Sequence, residues 1–227
     1  MVCKGGPVQV GILGGTGPLG RGLTARLAAA GIEVVIGSRD EARASAVAAE
    51  VVDAWVGRTL PIRGAGNEEA AAADLVVLAT PWDAALPTAR SLARALSGKV
   101  VVSVANALVR QGREMHALVP PRGSIAAAVQ AALPGTAVAA AGQHLPASVL
   151  ADLEAELAAD VLVCADSDEA RESTMGLFGS IAGLRPLDAG SLASASAIEA
   201  FTAVLITLNI RYKAHSTLRL EGLHGAG

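Results

Sequence analysis

The fold of this chain is decided by the stretch Val8-Gln9-Val10-Gly11-Ile12-Leu13-Gly14-Gly15-Thr16-Gly17-Pro18-Leu19-Gly20. Its first half is a short apolar run with the length of a buried strand, and a helical pattern over residues 19–30 follows the glycines. Gly15, Gly17 and Gly20 satisfy the G-x-G-x-x-G spacing in the strand, turn and helix context that the motif requires. The first permits the tight turn, the second lets the backbone approach a pyrophosphate, and the third lets helix and strand pack closely. The stretch therefore predicts a dinucleotide site, against the alternative of a purely structural glycine turn.

The alternation of strand and helix continues along the chain. Apolar runs of strand length recur, and because both of their faces are apolar they indicate strands buried on both sides. The pattern predicts an α/β fold in residues 1–190, a Rossmann-like, doubly wound and mainly parallel sheet. The predicted strands are residues 8–13, 33–36, 75–79, 99–104, 137–141, 161–165 and 184–188, and the predicted helices are residues 19–30, 41–56, 82–96, 124–133 and 168–181.

Residues 191–227 are predicted to form a C-terminal helical extension, with one long helix from about residue 191 to about residue 220. A helix that is apolar on all sides must be buried on all sides, and one sheet can cover only one side. We therefore expect this helix to pack into the partner subunit of a homodimer; the alternative is a core helix wrapped by its own chain. Its apolar residues follow 3-4-3-4 spacing at Ile198, Phe201, Leu205, Leu208 and Tyr212, with Val204, Ile206 and Ile210 on other faces.

Composition excludes several classes of protein. The 227 residues carry a formal charge of -3, with 52% hydrophobic, 17% charged and 2% aromatic residues, which argues against disorder and against a nucleic-acid partner. The uncharged stretch 124–151 is broken by proline and glycine, so no membrane span is predicted. The two cysteines, Cys3 and Cys164, and the lack of a signal-peptide pattern favour a cytoplasmic protein.

The end of the second predicted strand indicates which dinucleotide binds. An NAD site usually places Asp or Glu about twenty residues beyond the glycines, to accept a hydrogen bond from the ribose 2'-hydroxyl. This chain has Ser38 and Arg39 there, with Arg43 one helical turn later. A guanidinium binds a 2'-phosphate through charge-assisted hydrogen bonds, so the sequence predicts NADP. The alternative is that Arg39 pairs with Asp40 or Glu41 at the start of a helix.

Three more loops follow predicted strands and belong to the same edge of the sheet, where open α/β folds bind ligands. The first is Thr80-Pro81-Trp82, in which Trp82 either walls the nicotinamide pocket or begins a helix. Residues 105–107 and 142–146 form the other two, and both are expected to converge on the nicotinamide. His144 lies in the last loop and is our candidate catalytic residue, against the alternative of a structural histidine.

Chain length constrains the reaction. Imine, hydroxy-acid and sugar-acid dehydrogenases append a helical substrate domain, whereas fewer than forty residues follow the last predicted strand here. No Ser-His-Asp, Tyr-x-x-x-Lys or metal-ligand spacing stands out, so no metal site is predicted. An open cleft with a bound nicotinamide suits a broad planar partner that stacks and exchanges a hydride, which requires positioning more than proton transfer.

The chain resembles the coenzyme F420-dependent NADP oxidoreductases, or NADPH-dependent F420 reductases, over almost its whole length. The resemblance lies in residues 11–20, Gly37-Ser38-Arg39, Thr80-Pro81-Trp82, residues 183–190 and Arg211-Tyr212-Lys213-Ala214-His215. It implies hydride transfer between C4 of NADP(H) and C5 of the deazaflavin F420, a small-molecule co-substrate. It also implies a homodimer formed with help from the C-terminal helices.

The resemblance further implies roles for individual residues. Relative to the family this chain has Pro18 where Asn is common, Gln143-His144 in the loop after the predicted strand 137–141, and Asn106-Ala107 after the predicted strand 99–104. The last two departures leave two alternatives open: an NADPH-dependent reductase of another planar acceptor, such as a flavin or a flavin-coupled ferric centre, and a non-catalytic NADP-binding module. The implied contacts are Thr16, Gly17, Pro18 and Leu19 with the pyrophosphate; Ser38, Arg39 and Arg43 with the 2'-phosphate; Thr80 and Leu145 with the nicotinamide; and Ser103, Val104, Asn106, His144 and Pro146 with the deazaflavin.

Overall fold

Eight strands of the chain form one sheet with helices on both faces. The computed structural model describes residues 8–223 of the chain, so Cys3 lies outside the described residues. Two further strands form a separate hairpin. The strands are β1 (Gln9–Leu13), β2 (Glu33–Ser38), β3 (Ile62–Gly66), β4 (Leu75–Leu78), β5 (Val100–Ser103), β6 (Leu108–Gln111), β7 (Glu114–Ala117), β8 (Ala137–Ala140), β9 (Ala159–Ala165) and β10 (Leu184–Asp188). The helices are α1 (Pro18–Ala29), α2 (Glu41–Asp53), α3 (Asn67–Ala71), α4 (Trp82–Ser91), α5 (Ala93–Leu96), α6 (Ile125–Ala132), α7 (Ala147–Ala151), α8 (Asp168–Gly179) and α9 (Ala195–Tyr212).

The order of the strands confirms the predicted Rossmann-like sheet. It runs β10-β9-β8-β5-β4-β1-β2-β3. The six neighbouring strands β8, β5, β4, β1, β2 and β3 are all parallel to one another. Strand β1 lies between β2 and β4, which is the point where the winding of the sheet reverses. Ligands of such folds bind at the carboxyl ends of the strands beside this point, and we call this side of the sheet the carboxyl edge.

Strand β9 runs antiparallel to β8, and β10 runs parallel to β9. The chain leaves β8 at the carboxyl edge, forms α7 and then enters β9 from that same edge. The first residues of β9 and β10 therefore lie at the carboxyl edge, whereas their last residues lie at the opposite edge. This reversal brings Asp160 and Arg185, near the starts of the two strands, to the side on which the loops of the predicted site lie.

Several local elements differ from the sequence prediction, among them the unpredicted helix α7. Strand β3 and helix α3 were not predicted, because residues 62–66 contain two glycines and few strand formers. The β6–β7 hairpin turns through Gly112, which has a φ of 60°. The helix predicted over residues 82–96 is interrupted at Leu92, after a first segment that contains Pro87. The C-terminal helix ends at Tyr212, because Lys213 adopts a left-handed conformation with a φ of 52° and turns the chain back towards the sheet.

Helix α9 has one buried face and one exposed apolar face. Ile198, Thr202 and Leu205 are buried, and the helix packs mainly against strand β7 of the hairpin and against α6, so the chain covers only part of this helix. The exposed face carries Phe201, Val204, Leu208 and Tyr212, with exposed fractions of 38% to 76%. Within the described residues, Leu192–Tyr212 is the segment long and apolar enough to cross a membrane, with a mean hydropathy of 1.5 and 28% of it buried.

Candidate functional site

The glycine turn between β1 and α1 is held by its own backbone. The N–H of Gly15 donates to the carbonyl of Ile12 and the N–H of Gly17 donates to the carbonyl of Gly14, both at 3.1 Å. Helix α1 begins at Pro18, and Gly17, its N-cap, offers no side chain to the first turn. The first N–H groups of a helix have no partner inside the helix and lie at the positive end of its dipole. The turn therefore presents free donors to an anion.

The glycines of this turn are required for two different reasons. A Cβ on Gly20 would lie 2.6 Å from the Cα of Gly15, and a Cβ on Gly14 would lie 2.8 Å from the nitrogen of Thr80. The packing of the chain itself therefore excludes a side chain at both positions. A Cβ on Gly17 would meet nothing closer than the carbonyl oxygen of Gly14 at 3.5 Å, which is an ordinary contact. The space beside Gly17 belongs to the cleft, which is the space a phosphate group needs.

A cleft of about 520 Å³ opens at the carboxyl edge beside this turn. The structure brings seven of the sequence-predicted site residues together on its walls, from the loops after β1 and β4, the end of β2, the turn after it and the first turn of α2. The remaining lining residues come from the turn, from α3 and from α4. The lining comprises the predicted residues Thr16, Gly17, Ser38, Arg39, Arg43, Thr80 and Pro81, together with Gly14, Asn67, Ala79, Ala84, Pro87, Thr88 and Ser91.

The end of the cleft beyond β2 is basic. Asp40 caps helix α2 by accepting a hydrogen bond from the backbone N–H of Arg43 at 3.1 Å, and its carboxylate forms no ion pair with Arg39. Within residues 8–223, no carboxylate lies within 4.0 Å of the guanidinium of Arg39 or Arg43. Both cations are therefore available to an anion in the cleft, and the surface ion pair considered as an alternative does not form.

Asn67 lines the same end of the cleft and was missed by sequence reasoning. It is the first residue of α3, directly after β3, and its Oδ1 is buried with no hydrogen-bond partner among the described residues. The signal that could have found it is Gly66-Asn67 after a weak strand, but the strand itself was not predicted. An unpaired buried oxygen beside two arginines gives this end of the cleft a hydrogen-bond acceptor as well as cations.

Thr80-Pro81-Trp82 connects β4 to α4 at the middle of the cleft. Pro81 is the N-cap of α4 and Trp82 is its first residue. Trp82 is 39% exposed and is not among the residues that line the cleft. The hydroxyl oxygen of Thr80 is buried and has no hydrogen-bond partner in the part of the chain that the structure describes. This loop therefore places one unpaired hydroxyl and a proline wall beside the glycine turn.

The predicted deazaflavin residues, and Leu145 of the predicted nicotinamide side, lie at the end of β5 and on the loops after β5 and β8, away from the lining of this cleft. Ser103, Val104, His144 and Leu145 are all at least 95% buried, and Pro146 is the N-cap of α7. The two loops are joined by a hydrogen bond of 2.9 Å from the Nδ2 of Asn106 to the backbone carbonyl of Gln143. The structure thus brings these residues to one place on the carboxyl edge and leaves them covered.

Buried polar atoms without partners are concentrated on these two loops. In the described residues there are ten such side-chain atoms, and five of them belong to Ser103, Asn106, Gln143 and His144. The amide of Gln143 is unpaired at both its oxygen and its nitrogen, although the residue is only 3% exposed. Buried polar groups in folded proteins are nearly always hydrogen-bonded. A set of unpaired donors and acceptors at a ligand-binding edge fits a ligand that carries complementary polar groups.

His144 has a defined tautomer. Its Nε2 lies 2.7 Å from the backbone carbonyl oxygen of Asp160, and because a carbonyl only accepts, the proton is on Nε2. Burial lowers the pKa of His144 below its ordinary value, and the hydrogen bond to Asp160 opposes this only in part. The ring is therefore neutral at neutral pH. Its Nδ1 is a buried acceptor without a partner, which suits an N–H group of a ligand.

The described residues contain no cluster of three or more His, Cys, Asp or Glu side chains that could hold a metal ion. The arrangement instead supplies unpaired donors beside the glycine turn, free cations beyond β2, and unpaired neutral polar groups after β5 and β8. These groups fit a dinucleotide phosphate and a polar planar ring.

Comparisons with known proteins agree with this geometry. The sequence profile of the family described as "NADP oxidoreductase coenzyme F420-dependent" matches residues 9–107. The F420-dependent NADP reductase of Methanocaldococcus jannaschii is 37% identical over 222 residues, which cover 95% of this chain and 99% of that protein. The enzyme of the same name from Methanothermobacter marburgensis is 36% identical over 209 residues, covering 90% and 93%.

A solved structure is similar over nearly its whole length. The crystal structure of a proposed F420-dependent NADP reductase from Arthrobacter sp. FB24 has a TM-score of 0.76 and 25% identity, and it covers 92% of this chain and 96% of that one. Fold, cleft and sequence similarity point to the same conclusion. The chain belongs to the family of coenzyme F420-dependent NADP oxidoreductases.

Proposed function

We propose that this protein is an oxidoreductase that transfers a hydride between NADP(H) and the deazaflavin coenzyme F420. The observation that carries the proposal is the cleft in which Arg39 and Arg43, which have no carboxylate partner among residues 8–223, stand beside the glycine turn of a chain that is 37% identical to an F420-dependent NADP reductase. When both are bound, the nicotinamide donates or accepts the hydride at C4 and the deazaflavin does so at C5. The protein contributes binding, orientation and shielding from water.

At the nucleotide end, the chain acts through its backbone and its cations. We assign the pyrophosphate to the first turn of α1, at Thr16, Gly17, Pro18 and Leu19, with Gly15 and Gly20 maintaining the close packing of the turn. Pro18 has no N–H to offer, so the donors are those of the residues around it. Ser38, Arg39 and Arg43 would bind the 2'-phosphate, and the free guanidinium groups support a preference for NADP over NAD.

At the acceptor end, we assign Thr80, Pro81, Trp82 and Leu145 to the nicotinamide side, and Ser103, Val104, Asn106, His144 and Pro146 to the deazaflavin side. The support is the set of unpaired buried atoms on the loops after β5 and β8. A deazaflavin carries alternating carbonyl and N–H groups along one edge of its ring. Because the amide of Gln143 can donate and accept, and the Nδ1 of His144 accepts, these side chains complement such an edge.

The test is to mix purified protein with NADPH and oxidised F420 and to follow the absorbance of the deazaflavin, with NADH, FMN and riboflavin in parallel. We expect the F420 signal to fall with NADPH and to change little with NADH. Reduction of FMN or riboflavin without F420 turnover would assign the protein to another planar acceptor. Tight NADPH binding with no turnover of any acceptor would leave only a nucleotide-binding module.

The effect of His144 separates an acceptor role from a structural one. We expect His144→Gln to reduce F420 turnover at least about tenfold, since it removes the Nδ1 acceptor, while NADPH affinity stays within about twofold. The comparison variant is His116→Gln, which alters an exposed histidine whose Nε2 faces Glu114 on the hairpin. Normal F420 turnover in His144→Gln would return His144 to a structural role.

We further propose that the protein is a homodimer, with the exposed face of α9 as the interface. The support is that Phe201, Val204 and Leu208 follow one helix face and are exposed by 38% to 51%, and such contiguous apolar surfaces usually mark an interface. Val204→Asp should yield monomers in sedimentation equilibrium. Val56→Asp, which alters a valine that is 93% exposed in the turn after α2, should not. A cytoplasmic location stays a prediction.

A further inference from the structure

Asp160 uses every polar atom it has. Its backbone carbonyl accepts from the Nε2 of His144 at 2.7 Å, and its backbone N–H donates to the carbonyl of Leu218 at 2.8 Å. Its carboxylate accepts from Arg185 and from the backbone N–H of Leu220. One residue at the start of β9 therefore connects the loop after β8, strand β10 and the chain beyond α9.

Arg185 faces Asp160 across the paired strands β9 and β10, where the two residues are in register. Its Nε and Nη2 each donate to one carboxylate oxygen at 2.7 Å, which is the bidentate geometry that a guanidinium and a carboxylate prefer. Asp160 is fully buried, so its charge depends on this partner. The guanidinium holds the pKa of Asp160 below its ordinary value, and the pair is therefore ionised.

The chain after α9 closes the same arrangement from outside. We call residues 216–223 the strap. The side chain of Thr217 donates to the carbonyl of Ala158 at 3.0 Å, and Arg185 donates to the carbonyl of Leu220 at 2.6 Å and to that of Leu223 at 3.2 Å. The strap is thus tied to β9 through Asp160 and to β10 through Arg185, directly behind the residue that holds His144.

We propose that Asp160 and Arg185 are positioning residues for His144. Together with the strap they form a clamp that keeps the Nδ1 of His144 available to the acceptor ring. The inference rests on the proposed function. The carbonyl of Asp160 selects the tautomer of His144 with the proton on Nε2, so the position of that carbonyl decides which ring nitrogen is left to accept. Because Arg185 and Leu220 hold the carboxylate of the same residue, loss of either contact frees the carbonyl to move.

Two variants loosen the clamp from different sides. Arg185→Met removes the bidentate partner of Asp160, and Leu220→Pro removes the backbone N–H that donates to its carboxylate. Each has a matched control. Arg171→Met removes another arginine that pairs with two carboxylates, those of Asp168 and Asp188, at the opposite edge of the sheet. Leu223→Pro also places a proline in the strap, but it keeps the carbonyl of residue 223 that accepts from Arg185.

Two readouts are needed, and the first is kinetic. We expect Arg185→Met and Leu220→Pro to raise the KM for F420 roughly tenfold, as expected for one lost hydrogen bond in a site, with the Kd for NADPH within about twofold. Arg185→Lys should restore part of the affinity because it keeps the charge but not the bidentate geometry. Both control variants should behave as the unaltered protein.

The second readout does not depend on activity. Long-range proton–nitrogen NMR of histidine-labelled protein reports which ring nitrogen of His144 carries the proton, with the signal assigned by its loss in His144→Gln. The unaltered protein should have the proton on Nε2, and both clamp variants should populate the other tautomer.

The outcomes separate the clamp from the reaction. Unchanged tautomer and unchanged F420 KM in both variants would overturn the inference, as would equal losses of F420 and NADPH binding, which indicate a general structural role. If Arg185→Met does not fold, Arg185→Lys and Leu220→Pro decide the question. If the unaltered protein does not reduce F420, the proposed function fails, and the tautomer measurement still tests the clamp.

Discussion

Replacing Gln143 by methionine should stabilise this protein and impair its reaction with the acceptor. The amide of Gln143 is buried to 97% and unpaired at both ends, and leaving a buried polar group unpaired costs about 1–3 kcal/mol per group. Methionine has the same unbranched length and carries no amide. We expect the free energy of unfolding of Gln143→Met to rise by roughly 1–3 kcal/mol, after allowance for imperfect packing of the new side chain.

Calorimetry gives the size of this effect directly. In a chain of this length, 1 kcal/mol corresponds to a shift of about 2–4 °C in Tm, so Tm should rise by at least about 2 °C. The same variant should raise the KM for F420 by about threefold to tenfold, because it removes one or two hydrogen bonds to the ring, each worth about 0.5–1.5 kcal/mol. The Kd for NADPH should stay within about twofold.

Gln130 provides the matched control. Its Nε2 donates to the carbonyl of Thr136 at 2.8 Å, and its Oε1 accepts from the N–H of Val138 at 3.0 Å. Gln130→Met breaks bonds that the fold has made, so it should lower Tm and leave the F420 KM unchanged. A fall in Tm for Gln143→Met as large as that for Gln130→Met would refute the reasoning, since it would mean that the amide of Gln143 is satisfied in the folded protein.

Three further predictions concern the nucleotide end and the packing of α9. Arg39→Ala should weaken NADPH binding at least about tenfold in a fluorescence titration and spare NADH; equal loss for both would exclude a 2'-phosphate contact. Gly17→Ala should change the unfolding free energy by less than about 1 kcal/mol, given the 3.5 Å clearance, but weaken NADPH binding more than about tenfold; normal binding would place the phosphates elsewhere. Burial raises the pKa of Glu199 to about 7 from 4.5. Between these pH values the Glu199 carboxyl is ionised in the unfolded chain and protonated in the folded chain. The free energy of unfolding should therefore fall by up to about 1.4 kcal/mol for each unit by which the pH rises. The Tm of Glu199→Gln should not follow this trend.

The nucleotide end could be predicted from the sequence because its determinants are local. The glycine turn, Ser38 and Arg39 each act within a few residues of a strand end, and the alternation of buried strands with helices defines which strand ends meet. The cleft therefore contains Thr16, Gly17, Arg39 and Arg43 as expected. Asn67 was missed because the strand before it consists largely of small residues and lacks the β-branched pattern of its neighbours.

The acceptor end was less predictable because its contacts join distant parts of the chain. His144 is held by Asp160, which is held by Arg185 and by the strap. Those contacts depend on the reversed direction of β9 and on the left-handed residue Lys213 that ends α9. Periodicity reports which residues are buried, but it does not report the direction of a strand buried on both sides. It likewise extended the last helix to residue 220, although the chain turns back after Tyr212.

This difference also separates the region that the family profile matches from the loops that we assign to the acceptor. The family profile covers residues 9–107, which build the glycine turn, the cationic end of the cleft and the loop after β4. Gln143, His144, Asp160 and Arg185 all lie beyond it. A change of acceptor would therefore leave the matched region intact and alter the loop after β8, where a single amide can exchange the donors and acceptors offered to a ring edge. We propose that the amide of Gln143 selects between a deazaflavin and another planar ring, and the stability gained by Gln143→Met would measure what its unpaired groups cost the unliganded fold.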